Sequence, residues 1–185
     1  MTVEEIFSQI CQHMIQGLMV HTQMADYYYF LGLKGYGKCH EYHYFSESEN
    51  YRKLSRYYMK RFNKFITESH VPNPQIIPET WYKYTRQQVD ASTRKTAIQS
   101  GFEKWVDWET DTKSLYENMY EQLIELNEVA AASELRCFIV DVDEELAKAC
   151  QKYLELKMID FDISNIYEEQ EELYKKYKAK IKCRD

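Results

Sequence analysis

Ser69-His70-Val71-Pro72-Asn73-Pro74-Gln75-Ile76-Ile77-Pro78, continuing through Trp81-Tyr82-Lys83-Tyr84 to residue 96, holds all three prolines of the chain and no sustained apolar period. Proline lacks the amide proton and clashes with the preceding turn, so no helix runs through this cluster. A connection this long is rare in a compact domain unless it carries the chain from one end of a bundle to the other. At about 3.3 Å per extended residue it spans a 30-residue helix of about 45 Å. The helices on either side of it are then parallel, and the chain divides into two hairpins joined by one crossover.

The flanking segments carry helical periodicity. Upstream, Ile6, Ile10, Met14, Leu18, Ala25, Tyr29 and Phe30 recur every three or four residues and predict a helix over 3–33. Gly32, Gly35 and Gly37 then read as a helix stop and turn, and a second periodic run covers 38–68. Downstream, Phe102, Trp105, Val106, Leu115, Tyr116, Met119, Leu123 and Leu126 predict a helix over 96–127, with Thr93, Thr96 and Ser100 as candidate caps. After a short break at Asn127 a fourth helix fits 130–158. A shorter fifth fits 163–181, capped by Asp162 or Ser164. Its Glu168, Glu169, Glu171 and Glu172 precede Lys175, Lys176, Lys178 and Lys180, a polarity that complements the helix dipole. The expected architecture is a single all-α domain over 1–185.

Composition narrows the function. The 185 residues carry a net charge of −6, which leaves no general positive surface, so neither nucleic acid nor an anionic membrane is an expected partner. No apolar run approaches the roughly 18 residues of a membrane span, and the acidic start lacks the basic and apolar regions of a secretory signal. Five scattered cysteines without zinc-ligand spacing read as reduced thiols of a cytoplasmic protein. Hydrolase, NTPase and dehydrogenase glycine motifs are absent. The run Arg52, Lys53, Arg56, Lys60, Arg61 and Lys64 reads as a solvated face, and the 17 tyrosines as a polar-tipped core or subunit interface.

Two hairpins joined by one long crossover are a ferritin-like topology. Met24-Ala25-Asp26-Tyr27-Tyr28-Tyr29-Phe30-Leu31 resembles the Tyr-rich first helix of ferritins, and Ser69-His70-Val71-Pro72-Asn73-Pro74 the start of their crossover loop. Trp108-Glu109-Thr110 followed by Leu115-Tyr116-Glu117-Asn118-Met119-Tyr120-Glu121 resembles their third helix. Cys137-Phe138-Ile139-Val140-Asp141-Val142-Asp143-Glu144-Glu145 resembles their fourth. The chain thus resembles the ferritin-like superfamily, with bacterial ferritin nearest and the Dps branch as the alternative. The resemblance implies a four-helix bundle with a long crossover between its second and third helices and a short C-terminal fifth helix. It also implies iron, and a homo-oligomer formed through helix faces or the C-terminal helix.

A di-iron site needs carboxylates and an imidazole converging inside the bundle. Glu109 and Glu145 match the family's third- and fourth-helix positions. The first half departs from the pattern: Thr22 falls where the first-helix glutamate belongs, with His21 beside it and Asp26 one turn on. The Glu-x-x-His of the second helix is missing, since Glu47 is followed by Asn50 and Glu49 by Arg52, while direct matching puts Ser48 and Tyr51 at the ligand positions. Val142 removes a further polar contact. Local substitutes exist, because His40, His43 and Glu47 share one helical face. The candidate metal set is therefore Glu109, Glu145, Glu47, His43, His21 and Asp26, while a Dps-like intersubunit site would draw on His21, Asp26, His40 and Glu47. For each histidine the competing reading is a hydrogen-bonded or surface imidazole. The expected function is iron binding, with storage or Fe(II) oxidation at an atypical, incomplete site. The alternative is a metal-free helical bundle serving as a structural or protein-interaction module.

Overall fold

The computed structural model describes residues 1–66 and 90–183, which form six helices: α1 (Val3–Phe30), α2 (Lys34–Phe62), α3 (Ala91–Glu125), α4 (Val129–Met158), α5 (Ile163–Glu168) and α6 (Gln170–Lys182). A capping box starts α1: the Glu5 amide donates to Thr2 Oγ1 at 3.2 Å and the Thr2 amide to Glu5 Oε2 at 2.8 Å. Gly32, at φ 82°, turns the chain into α2.

Several boundaries differ from the periodic pattern. Only Gly32 of the three clustered glycines makes the turn, and Gly35 and Gly37 lie inside α2. Gly35 serves packing, since a Cβ there would come within 2.7 Å of the Gln170 carbonyl oxygen and 2.8 Å of Leu173 Cβ. Helix α2 ends six residues early, at a left-handed Asn63. Helix α3 starts five residues early, because the cap is Asp90, whose carboxylate accepts from the Thr93 amide at 2.7 Å. The expected fifth helix is broken at Glu169 into α5, capped by Asp162, and α6.

Helices α1 and α2 pair as one hairpin and α3 and α4 as the other. At one end of the bundle Tyr58 Oη donates to Glu4 at 3.2 Å, placing the end of α2 beside the start of α1. At the other end Tyr27 Oη donates to the Ala97 carbonyl at 2.9 Å, placing the start of α3 beside the end of α1. Helices α2 and α3 are therefore parallel, with the end of one and the start of the next at opposite ends of the bundle. The crossover motif itself, with Pro72, Pro74 and Pro78, falls in residues 67–89, outside the described residues.

The C-terminal helix, one of the candidate subunit contacts, packs along α2 of its own chain. Ile166 and Gln170 are buried there, and the Gln170 side-chain oxygen accepts from the Gly35 amide at 2.9 Å. The apolar interior forms two clusters. One, around Ile10, Met14, Leu54, Leu123 and Leu135, fills the end where α1 begins. The other, around Met24, Tyr28, Tyr36, Ile98, Phe102 and Leu156, fills the opposite end and extends under α5 and α6. Between them lies a belt of buried polar side chains.

Candidate metal centre

Four helices supply that belt. Helical spacing turns His40, His43 and Glu47 of α2 inward together, and Trp105, Glu109, Thr112 and Tyr116 of α3 likewise. His21 enters from α1 and Glu145 from α4. His21 and His40 are 0 % exposed, Glu109 2 % and His43 4 %.

The imidazoles stack as a group, with ring centroids 5.5 Å apart for His21 and His40 and 5.3 Å apart for His21 and His43. The Nδ1 atoms of His21 and His40 are 3.2 Å apart, so one ring donates and the other accepts. His21 Nε2 stands 4.0 Å from Glu109 Oε1. The same carboxylate oxygen accepts from Trp105 Nε1 at 3.0 Å, which fixes its orientation. His43 Nδ1 lies 3.1 Å from Glu145 Oε1.

Burial and mutual charge set the protonation states. Burial, with His43 nearby, pulls His21 down to about 3, and burial with both neighbouring histidines holds His40 well below the usual range. Desolvation is the largest single influence on His43 and opposes its charge, but the Glu145 carboxylate and Cys39 together outweigh it and raise the imidazole well above its ordinary value. Glu145 is correspondingly lowered: burial favours its neutral form, and the charge and hydrogen bonding of His43 overcome that. Burial, reinforced by Glu145, pushes Glu109 up to about 8 and Glu47 well above the carboxylate range. The resting centre is thus one ion pair, two neutral imidazoles and two carboxyl groups held toward their protonated forms.

Five buried polar atoms in and beside this belt have no hydrogen-bond partner: His21 Nε2, His40 Nε2, Glu47 Oε2, Tyr28 Oη and Tyr116 Oη; His43 Nδ1 has only its ion-pair contact with Glu145. Each such atom costs roughly 1–3 kcal/mol, and their concentration in one place is unlike ordinary core packing. Nitrogen and oxygen donors of this kind suit iron, zinc and manganese. As placed, however, they make pairwise contacts: among the described residues no three His, Cys, Asp or Glu side chains stand where they would hold a metal ion. A groove of about 550 Å³ between α2, α4 and α6 reaches the belt at His43, Trp105 and Glu145.

The structure brings together five of the six candidate residues: His21, His43, Glu47, Glu109 and Glu145. Asp26 stands apart from the other five. It is exposed, five residues and more than one turn from His21, on a face of α1 that points away from the centre. Thr22 is also exposed, with its hydroxyl donating to the Leu18 carbonyl at 2.7 Å. Gly17 is the α1 residue opposite Glu47; a Cβ there would lie 3.5 Å from the Glu47 carboxyl carbon and from the Trp108 ring. The first helix therefore presents no carboxylate at that level. Sequence reasoning assigned Trp105 and Tyr116 to the core and missed their contact with the centre. The available signal was their spacing, four before and seven after Glu109.

Solved ferritins share this arrangement of helices. The open-pore ferritin of Archaeoglobus fulgidus superposes with a TM-score of 0.75 at 17% identity, covering 93% of this chain and 94% of that one. The fold is that of the ferritins. A humanized archaeal ferritin gives a TM-score of 0.77 at 17% identity over 93% and 94% of the two chains. A PmFTN variant from an iron-soaked crystal gives 0.67 at 12% identity over 84% and 87%. No family profile matches the chain. No curated protein matches it either. No helix of the described residues is long and apolar enough to cross a membrane.

Proposed function

We propose that this chain is a ferritin-like protein that takes up divalent iron, for storage or oxidation, at the centre where His21, His43, Glu47, Glu109 and Glu145 meet. The observation that supports this most is the convergence of buried nitrogen and oxygen donors from four helices, several of them without partners. Iron is the substrate. The role of the chain is to strip its water, orient it through a carboxylate fixed by Trp105, and release the protons that Glu47 and Glu109 hold at rest. The groove at His43 and Glu145 is the approach from solvent.

The iron-soaked ferritin variant makes iron the first ion to test. By the same likeness we propose a homo-oligomer. Its contact would be the outer face of α1 and α2, where Ile15, Leu18, Met19 and Tyr44 form an apolar patch. The five free thiols suit a reducing compartment, the cytoplasm.

A second reading has its own support. The His43–Glu145 ion pair is already neutral, and no three donors stand ready for a metal. On that reading the bundle is a scaffold whose function lies with its partners. Anaerobic Fe(II) titration of the purified protein, followed by oxygen addition while ferric absorbance is recorded, separates the two. Stoichiometric binding and protein-accelerated oxidation, both lost in Glu109→Ala and Glu145→Ala, support the iron centre. Binding no greater than background supports the scaffold.

A further inference from the structure

Among the described residues three histidines are buried, His21, His40 and His43, and the cation centre proposed above uses only the first and the last. His40, in the second turn of α2, is 0 % exposed, and its Nδ1 lies 3.2 Å from His21 Nδ1. Two neutral rings share such a contact only if one of the two Nδ1 atoms carries the hydrogen. A neutral imidazole has a single N–H, so the choice also fixes the far side of each ring. The donor ring is left with a bare Nε2, and the acceptor ring carries its hydrogen on Nε2. Both far nitrogens are buried without a hydrogen-bond partner, and Glu109 Oε1, at 4.0 Å from His21 Nε2, is beyond hydrogen-bonding reach.

The surroundings of the two rings decide which one donates. His40 is packed among aromatic rings: Tyr28 is stacked on it with centroids 5.2 Å apart, and Trp105 meets it near-perpendicular at 4.8 Å. Aromatic faces are electron-rich, so they accommodate an N–H edge and repel a bare lone pair. His21 instead turns Nε2 toward Glu109 and the centre. We infer that His40 is a positioning residue: it accepts the Nδ1–H of His21 and so holds His21 with its Nε2 lone pair free on the side of Glu109. This role rests on the reading that the centre takes up a divalent cation, because only a bare nitrogen can bind one. Histidine ligands of metals commonly donate their second ring nitrogen to a carboxylate, a carbonyl or water. Here a neutral imidazole takes that place and adds no further charge to the belt.

Solid-state 15N nuclear magnetic resonance of the full chain, labelled at its five histidines, reads each ring nitrogen directly whatever the assembly size. The metal-free wild type should show His21 protonated at Nδ1 and bare at Nε2, His40 the reverse, and a 15N–15N coupling between the two Nδ1 atoms. In His40→Leu the coupling should vanish and His21 should move its hydrogen to Nε2. In His40→Asn, whose side-chain oxygen replaces the Nδ1 acceptor, His21 should keep Nδ1–H. Zn(II) affinity, measured with the same proteins, should fall by about 10–100-fold in His40→Leu and recover in His40→Asn. A wild-type His21 that carries Nε2–H overturns the inference without any variant having to fold, and leaves the cation centre standing if Zn(II) still shifts the His43 signals. Nδ1–H on His21 that survives in His40→Leu also overturns it. Zn(II) that moves neither the His21 nor the His43 signals overturns the cation centre, and the positioning role with it.

Discussion

Trp105 and His13 show how single side chains set the chemistry of the bundle. The indole of Trp105 is the hydrogen-bond donor that orients Glu109, at 3.0 Å. Trp105→Phe keeps the ring packing and removes the donor. It should weaken divalent metal binding by about 10–100-fold, the usual cost of losing an outer-shell partner, as read by isothermal titration. Unchanged affinity would mean that Glu109 is oriented by packing alone. His13 stacks on Trp108 with centroids 4.6 Å apart, and its Nε2 lies 2.8 Å from Thr112 Oγ1. The Thr112 hydroxyl already donates to the Trp108 carbonyl, so His13 donates and is held as the neutral Nε2–H tautomer. Burial lowers its pKa from 6.5 to about 4. With the folded value below the unfolded one, its contribution to stability is full above pH 6.5 and is lost as pH falls toward about 4. Between those limits the wild type should lose on the order of 3 kcal/mol more stability than His13→Gln in parallel denaturant titrations. Parallel pH profiles for the two proteins would contradict this.

Residue-level reading of the sequence brings out the inward positions of the second hairpin through the family resemblance and those of α2 through helical spacing. Glu109 and Glu145 follow from their alignment within the second hairpin, and His43 with Glu47 from a shared face of α2. On α1 it finds His21, but aligning the tyrosine run puts Thr22 at the carboxylate level, whereas Gly17 is the residue opposite Glu47. Asp26 stands among the candidates because polar residues on a buried and an exposed helix face are indistinguishable without a partner helix.

At the scale of elements, the close approach of α6 to α2 decides what the C-terminal segment does. Gly35→Ala would press a methyl into backbone and Cβ atoms at 2.7 and 2.8 Å, so the two helices must separate. Overpacking of this kind costs about 1–3 kcal/mol. Gly17→Ala meets its neighbours at an ordinary 3.5 Å and gains helix propensity, so it should be neutral or stabilising by up to about 1 kcal/mol. Thermal melts of both variants test this, and equal melting temperatures would show that α6 adjusts freely. Helix existence was legible from periodicity throughout. Helix ends were less so, because the α3 cap depends on one Asp90 contact and the α2 start on a packing partner 135 residues away. The docking of α6 onto its own chain left no mark in its amphipathic pattern, which would look the same for a neighbouring subunit.

For the whole molecule, two apolar ends enclose a polar belt, and the groove between α2, α4 and α6 reaches it. The apolar patch on α1 and α2 shares no residue with that groove, so assembly through it does not use the groove's lining. Light scattering should therefore give a mass above the 22.4 kDa of one chain. Leu18→Asp together with Met19→Asp should lower that mass while leaving metal binding intact. A monomeric wild type would contradict assembly through this face. The central claim, that the belt is a metal centre, is tested most directly by anomalous diffraction at the iron edge from anaerobic Fe(II)-soaked crystals. The account predicts a peak inside the bundle within bonding distance of Glu109 or Glu145 and of a histidine from His21 or His43. Iron found only on the surface, with the His43–Glu145 pair intact, would contradict it.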